Sequence, residues 1–284
     1  MPNWAYNELI FKSKEDFDNA VEKYTKDGEL DFNTITPLPE SLATMTGYMK
    51  DTHIKNITMY LVNSYPELVK SPNETSTILR FIKELCYDTS IIDVEMVMQI
   101  QRYINKYKDN EINYTDEDIA NGKKALYNII HYGYFDWYEW SIDNWETKWN
   151  ACDCTNNPKT LSIYWQTAWS PTIKIAHEIA KACKHPVYYR YAEEQFTEYV
   201  GEFIFNNGNI ESYVYDNDKN NNEGMPMDAF LTALDLFGVP YWKCEILDNN
   251  HIKFLYDDEE EPDEEDYEVF EGKQSKMLTK FMNL

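Results

Sequence analysis

From Asn7 to Ser13 the chain alternates, Leu9 and Phe11 standing against Ile10 and Lys12, which predicts a β-strand. The period then lengthens. Phe17, Ala20, Val21 and Tyr24 recur at helical spacing behind Ser13, a residue suited to cap a helix start. Gly28 closes that helix, and Leu30 to Thr36 reads as a second strand before Pro37 and Pro39. The chain therefore opens as β-α-β.

Residues 40–150 keep the longer period. Ile78, Phe81, Ile82 and Leu85 form one apolar face, and Ile92, Met96, Ile100, Tyr103 and Ile104 another. Thr115 with Asp118 three residues on has the spacing of a capping box, starting a helix through Ala125, Ile129 and Ile130. An aromatic run follows: Phe135, Trp137, Tyr138, Trp140, Trp145 and Trp149.

Strand character returns at Leu161 to Gln166, and Ser170-Pro171 reads as a helix start for Ile175, Ala176, Ile179, Ala180 and Cys183. Val187 to Ala192 is a strand. Tyr199 to Phe205 and Ile210 to Tyr215 flank Asn207-Gly208, a hairpin signal. After the polar segment Asp216 to Glu223 come a helix at Met227 to Phe237, a hairpin within Tyr241 to Tyr256, and a terminal helix in Gly272 to Leu284. The whole predicts an α+β fold: a split ferredoxin-like antiparallel sheet from 1–39 and 158–216, a helical insertion at 40–157, and an acidic α/β C-terminal extension at 224–284.

Composition sharpens this picture. At 43% hydrophobic and 15% aromatic, the 284 residues suffice for a buried core. The formal charge is −24, and residues 201–284 hold 20 acidic against 6 basic side chains. Such a field repels nucleic acid and anionic membranes and attracts basic protein surfaces. Direct nucleic-acid binding is not expected. The lack of a long apolar window or a leader-like N-terminus predicts a cytoplasmic chain with no membrane partner.

Reactive motifs are sparse. The five cysteines form no disulfide framework, and Cys152-x-Cys154 lacks the second pair that a structural zinc site uses. His177-Glu178 is followed at the zinc-ligand position by Lys181 rather than histidine. No glycine-rich phosphate loop or nucleophile elbow occurs, so no cofactor, metal or catalytic residue is assigned.

Met1-Pro2-Asn3-Trp4-Ala5-Tyr6-Asn7 resembles the opening of the Api92-like (YubB-like) family of phage and plasmid proteins. So do Trp137-Tyr138-Glu139-Trp140, Asn144-Trp145-Glu146-Thr147-Lys148-Trp149-Asn150-Ala151, and Thr167-Ala168-Trp169-Ser170-Pro171 with the Tyr199-Val200-Gly201-Glu202 strand. The resemblance implies a ferredoxin-like domain and a mobile-element origin, and carries no reaction. The chain departs from the family in having Ala5 where cysteine is usual and Glu146 where glycine is usual.

These features point to a stoichiometric inhibitor of a bacterial antiphage defence complex of the CRISPR, restriction or Gabija type, bound through that complex's basic surface. The partner-binding candidates are Asp257, Asp258, Glu259, Glu260, Glu261, Asp263, Glu264, Glu265 and Asp266, as a mimic of nucleic-acid phosphate, and Trp137 and Trp140 as aromatic anchors. The alternatives are an enzyme using carboxylates in a cleft, or a structural protein that self-associates through its aromatic block.

Overall fold

The computed structural model describes residues 3–45, 49–70, 75–85, 94–109, 113–194, 199–216, 225–237, 243–248, 251–255 and 273–284. They fall into two compact units, one of residues 1–37 with 144–284 and one of 38–143.

The first unit is built on a six-stranded antiparallel sheet. Its elements begin with β1 (Trp4–Phe11), α1 (Lys14–Tyr24) and a two-residue ladder of β2 (Thr25–Lys26) and β3 (Glu29–Leu30). After the helical unit come β4 (Cys152–Asn157), β5 (Ser162–Ala168), α8 (Ile173–Lys181), β6 (Val187–Glu193), β7 (Tyr199–Asn206) and β8 (Asn209–Asp216). The strand order is β4-β5-β1-β6-β7-β8. Taken in chain order, β1-α1-β4-β5-α8-β6 is a ferredoxin-like β-α-β-β-α-β unit, widened by the β7–β8 hairpin.

Leu30 to Thr36 is not the second strand of this unit. Phe32–Thr34 closes as a 3₁₀ turn because the Asp31 carboxylate accepts from Asn33 N at 3.0 Å and Phe32 N is taken by Asn150 Oδ1 at 2.8 Å. The second strand is β4, which follows the helical unit. Its sequence, CDCTNN, is poor in strand formers and is held by pairing with β5.

Alternation sets the sheet's faces. Ala5, Asn7, Leu9 and Phe11 of β1 are buried on one side, level with Trp165 and Ile163 on β5 and Tyr191 and Tyr189 on β6. α1 and α8 cover this side, through Phe17 against Phe11 and His177 stacked on Phe205. The opposite side is covered as well. Here α9 (Met227–Phe237) sets Phe237 on Tyr6 and buries Phe230 and Ala233 against Ala192, Val200 and Tyr215. α10 (Lys276–Met282) stacks Phe281 on Tyr188. A small sheet of β9 (Met225–Pro226), β10 (Lys243–Asp248) and β11 (His251–Leu255) completes the unit.

Turn and cap chemistry follows the sequence where it is local. Asn207 and Gly208 take φ of 48° and 83°, as the two-residue hairpin requires, and Met227–Phe237 is helical throughout. Gly201 is required by a neighbour: a Cβ there would lie 2.4 Å from Cε1 of Tyr191, whose ring crosses that position.

The second unit is helical: α2 (Glu40–Ala43), α3 (Lys50–Ser64), α4 (Thr75–Leu85), α5 (Val94–Lys108), α6 (Asp116–Tyr132) and α7 (Trp137–Trp145), whose last residues enter the sheet unit. The capping box forms, Thr115 Oγ1 accepting from Asp118 N while Asp118 Oδ2 accepts from Thr115 N at 2.8 Å. Ile54, Ile57, Leu61, Ile78, Ile82, Ile100, Ile104 and Ala125 fill the core. α3 and α6 cross closely at Gly122, where a Cβ would sit 1.9 Å from the carbonyl oxygen of Asn56.

Candidate functional site

Three motifs, the first more than a hundred residues before the other two, meet at one end of the sheet. Asn7, buried in β1, is their hub. Its amide donates to Ala5 O (3.0 Å), Trp165 O (3.3 Å) and Thr167 Oγ1 (3.0 Å). Its oxygen accepts from Tyr189 OH (2.7 Å) and Thr172 N (3.2 Å). Trp165 Nε1 donates to Thr172 Oγ1 at 3.0 Å. A buried amide with all its hydrogen-bonding capacity used fixes one arrangement of three strands and a helix start.

The tryptophan block joins this hub through backbone oxygens. Thr147 Oγ1 donates to Ala168 O at 2.9 Å, Ser170 Oγ donates to Glu146 O, and Thr167 Oγ1 donates to Ser170 O at 2.7 Å. Ser170 is therefore engaged away from the helix, and α8 begins two residues later than the Ser-Pro signal predicts, with Thr172 at its N-cap. Glu146 takes over the capping: its carboxylate accepts from Lys174 N at 2.6 Å. Burial holds its pKa above the ordinary carboxyl range, with the amides of residues 173 and 174 working against that rise. Its φ of 66° is left-handed, which accounts for the glycine that the family usually carries at this position. Ala5, where the family usually has cysteine, is fully buried and serves packing.

What this corner presents outward is aromatic. Trp149 is 45% and Trp169 52% exposed, and the Lys148 ammonium lies 4.0 Å and 5.5 Å from their ring centroids. Trp140 is buried at 7% exposure, and Trp137 is half-buried. Trp140 is therefore not an open anchor. Nothing in the tryptophan spacing distinguishes these roles, since Trp169 lies outside the block and is turned out by the φ of 74° at its own backbone. The acidic candidates Asp257, Asp258, Glu259, Glu260, Glu261, Asp263, Glu264, Glu265 and Asp266 lie outside the described residues.

Two buried arrangements contain chemistry that the sequence did not signal. On the sheet side facing α9 and α10, Glu202 is fully buried, accepts from Tyr188 OH and Ser275 Oγ, and has one oxygen without a hydrogen-bond partner. Burial raises its pKa against the opposing effect of those hydroxyls and Arg190. Arg190 beside it donates to Glu8 at 2.9 and 2.6 Å and to Asp235 at 2.7 Å, tying β6 to β1 and α9. In the helical unit, His53 Nε2 meets Asp136 Oδ2 at 2.6 Å, both side chains under 5% exposed. Each group is sealed in a core and holds elements together; neither presents a reacting atom to solvent.

Among the described residues, Cys152 and Cys154 are packed thiols. Cys152 donates to Gln166 O and Cys154 accepts from Leu30 N, and burial pushes their pKa values up to about 11 and about 12. A thiolate ligand or nucleophile needs the opposite shift. No helix among the described residues is long and apolar enough to cross a membrane.

No curated protein and no solved structure matches the chain. The family model described as the ferredoxin-like domain in Api92-like protein matches residues 145–232. That stretch opens on the tryptophan block, takes in β4 through β9 and ends in α9, so it contains most of the corner described above. Over these residues the chain is similar to the ferredoxin-like domain in Api92-like protein.

Proposed function

We propose that this chain is a stoichiometric protein-binding factor of a phage or other mobile element, which inhibits a bacterial antiphage defence complex by occupying that complex's basic, nucleic-acid-facing surface. The observation that carries the reading is the formal charge of −24, with 20 acidic against 6 basic residues over 201–284. An excess of this size speeds encounter with a positively charged groove and opposes contact with DNA, RNA and anionic lipid. The sheet unit supports the reading because helices cover both sides of it. A scaffold already rigid before binding loses less entropy on association than a loose acidic tail.

The test is capture from bacterial lysate with the tagged full chain, bound proteins being identified by mass spectrometry. One defence complex recovered in stoichiometric yield at moderate salt, and lost as salt is raised, is the expected result, because exposed charge pairs are screened beyond a Debye length of about 8 Å at physiological ionic strength. Recovery of the chain alone, or capture indifferent to salt, would overturn the reading.

A further inference from the structure

Trp149 and Trp169 stand out among the exposed large apolar side chains of the described residues because both lie near the Lys148 ammonium. Trp169 N donates to Asn3 O at 2.8 Å, and the residues on either side of it, Ala168 and Ser170, are bonded to Thr147 and Glu146. Its φ of 74° lies where bulky side chains are strained, and that strain persists because the surrounding hydrogen bonds overdetermine the backbone. The backbone thus turns an indole into water that a relaxed conformation would not require. The Lys148 ammonium lies within cation–π distance of both rings, at 4.0 Å and 5.5 Å from their centroids, so both indoles already accept a cation.

The surroundings are acidic. Ala5 pairs with Glu193 across β1 and β6, and Trp4 N donates to the exposed Glu194 at 3.1 Å. Glu194 and Asp153 both act electrostatically on Tyr6, on the strand that begins at Trp4. The Glu194 carboxylate thus bonds the residue that follows Asn3, the backbone partner of Trp169, and exposed indoles on an acidic chain suit a planar cation that stacks on a ring and carries an N–H fork for carboxylates. Nucleic acid and a second copy of this chain both bring negative charge to a chain of −24.

We infer that the Trp149–Lys148–Trp169 corner is a docking surface for an arginine-bearing segment of a partner protein. This rests on the protein-binding reading above and names the surface and the side-chain chemistry of that contact.

The experiment uses the full chain with its tryptophan indoles ¹⁵N-labelled, the signals of residues 149 and 169 being assigned through W149F and W169F. The probes are three hexapeptides: arginine-rich, lysine-rich and glutamate-rich. Saturable shifts at these two indoles with the arginine peptide, several-fold tighter than with the lysine peptide, are expected. Binding of the arginine peptide followed by titration calorimetry is expected to be about tenfold weaker in W149A/W169A, as loss of desolvated cation–π contacts implies, with W149F/W169F retaining most of it. The other indole signals check that each variant is folded.

Shifts confined to other indoles, equal response to arginine and lysine, or unchanged affinity in W149A/W169A would overturn the inference. So would shifts at these indoles that follow protein concentration alone, or that the glutamate-rich peptide produces as readily as the arginine-rich one. Failure here alongside successful, salt-sensitive capture of a defence complex would relocate the contact and leave the proposed function standing. Success here with no complex captured would count against the function alone.

Discussion

Glu202 is the residue at which burial and ionisation conflict most directly. Its one unpartnered oxygen lies in a core where a carboxylate is poorly solvated, and the neutral acid is the form that this surrounding favours. The sign of the linkage follows. With a folded pKa above the unfolded value of about 4.3, Glu202 contributes stability that is full below that value and lost as pH rises through the raised one. Asp16 runs the other way: burial would raise it, but hydrogen bonds from Lys184 and His185 hold it low, so its contribution is lost as pH falls. Glu202→Gln keeps an acceptor for Tyr188 and Ser275 without a titrating group. Its melting temperature should match that of the native chain near pH ~4 and exceed it increasingly toward neutrality. A gap that stays constant with pH, or a glutamine variant that is less stable throughout, would contradict this account of the site.

Among elements, α3 and α6 approach each other closely where Gly122 meets the Asn56 carbonyl. A methyl group there meets backbone, which cannot rotate aside, so Gly122→Ala should destabilise the helical unit by about 1–3 kcal/mol. Helix propensity alone predicts a gain of up to about 1 kcal/mol for the same change. Denaturant unfolding decides between them by the sign of the midpoint shift. Elements with local signals were legible in the sequence: the Asn-Gly hairpin, the Thr115 capping box and the helix at Met227–Phe237 each depend on residues within a few positions. β4 was not, because its pairing with β5 is a tertiary choice imposed on a polar segment beyond a whole inserted unit. The α8 start moved for the same reason, Ser170 being claimed by Glu146 from outside the segment. At the corner the motifs were visible, but their convergence on Asn7 and the outward turn of Trp169 depend on contacts that no local pattern encodes.

At the scale of the whole molecule, charge and rigidity act together. A chain of −24 incurs internal repulsion, and the sheet unit counters it with buried anchors such as Arg190 between Glu8 and Asp235, and with helices on both sides of the sheet. On the proposed reading, the net negative charge draws the chain to a basic surface of its partner. The most direct measurement is competition on the captured complex: a short fluorescent DNA duplex is bound first, the chain is titrated in, and fluorescence anisotropy follows the DNA. The account predicts that DNA is released in proportion to chain bound, one for one, with an apparent affinity that weakens as salt rises. DNA that stays bound while the chain saturates the complex would contradict it.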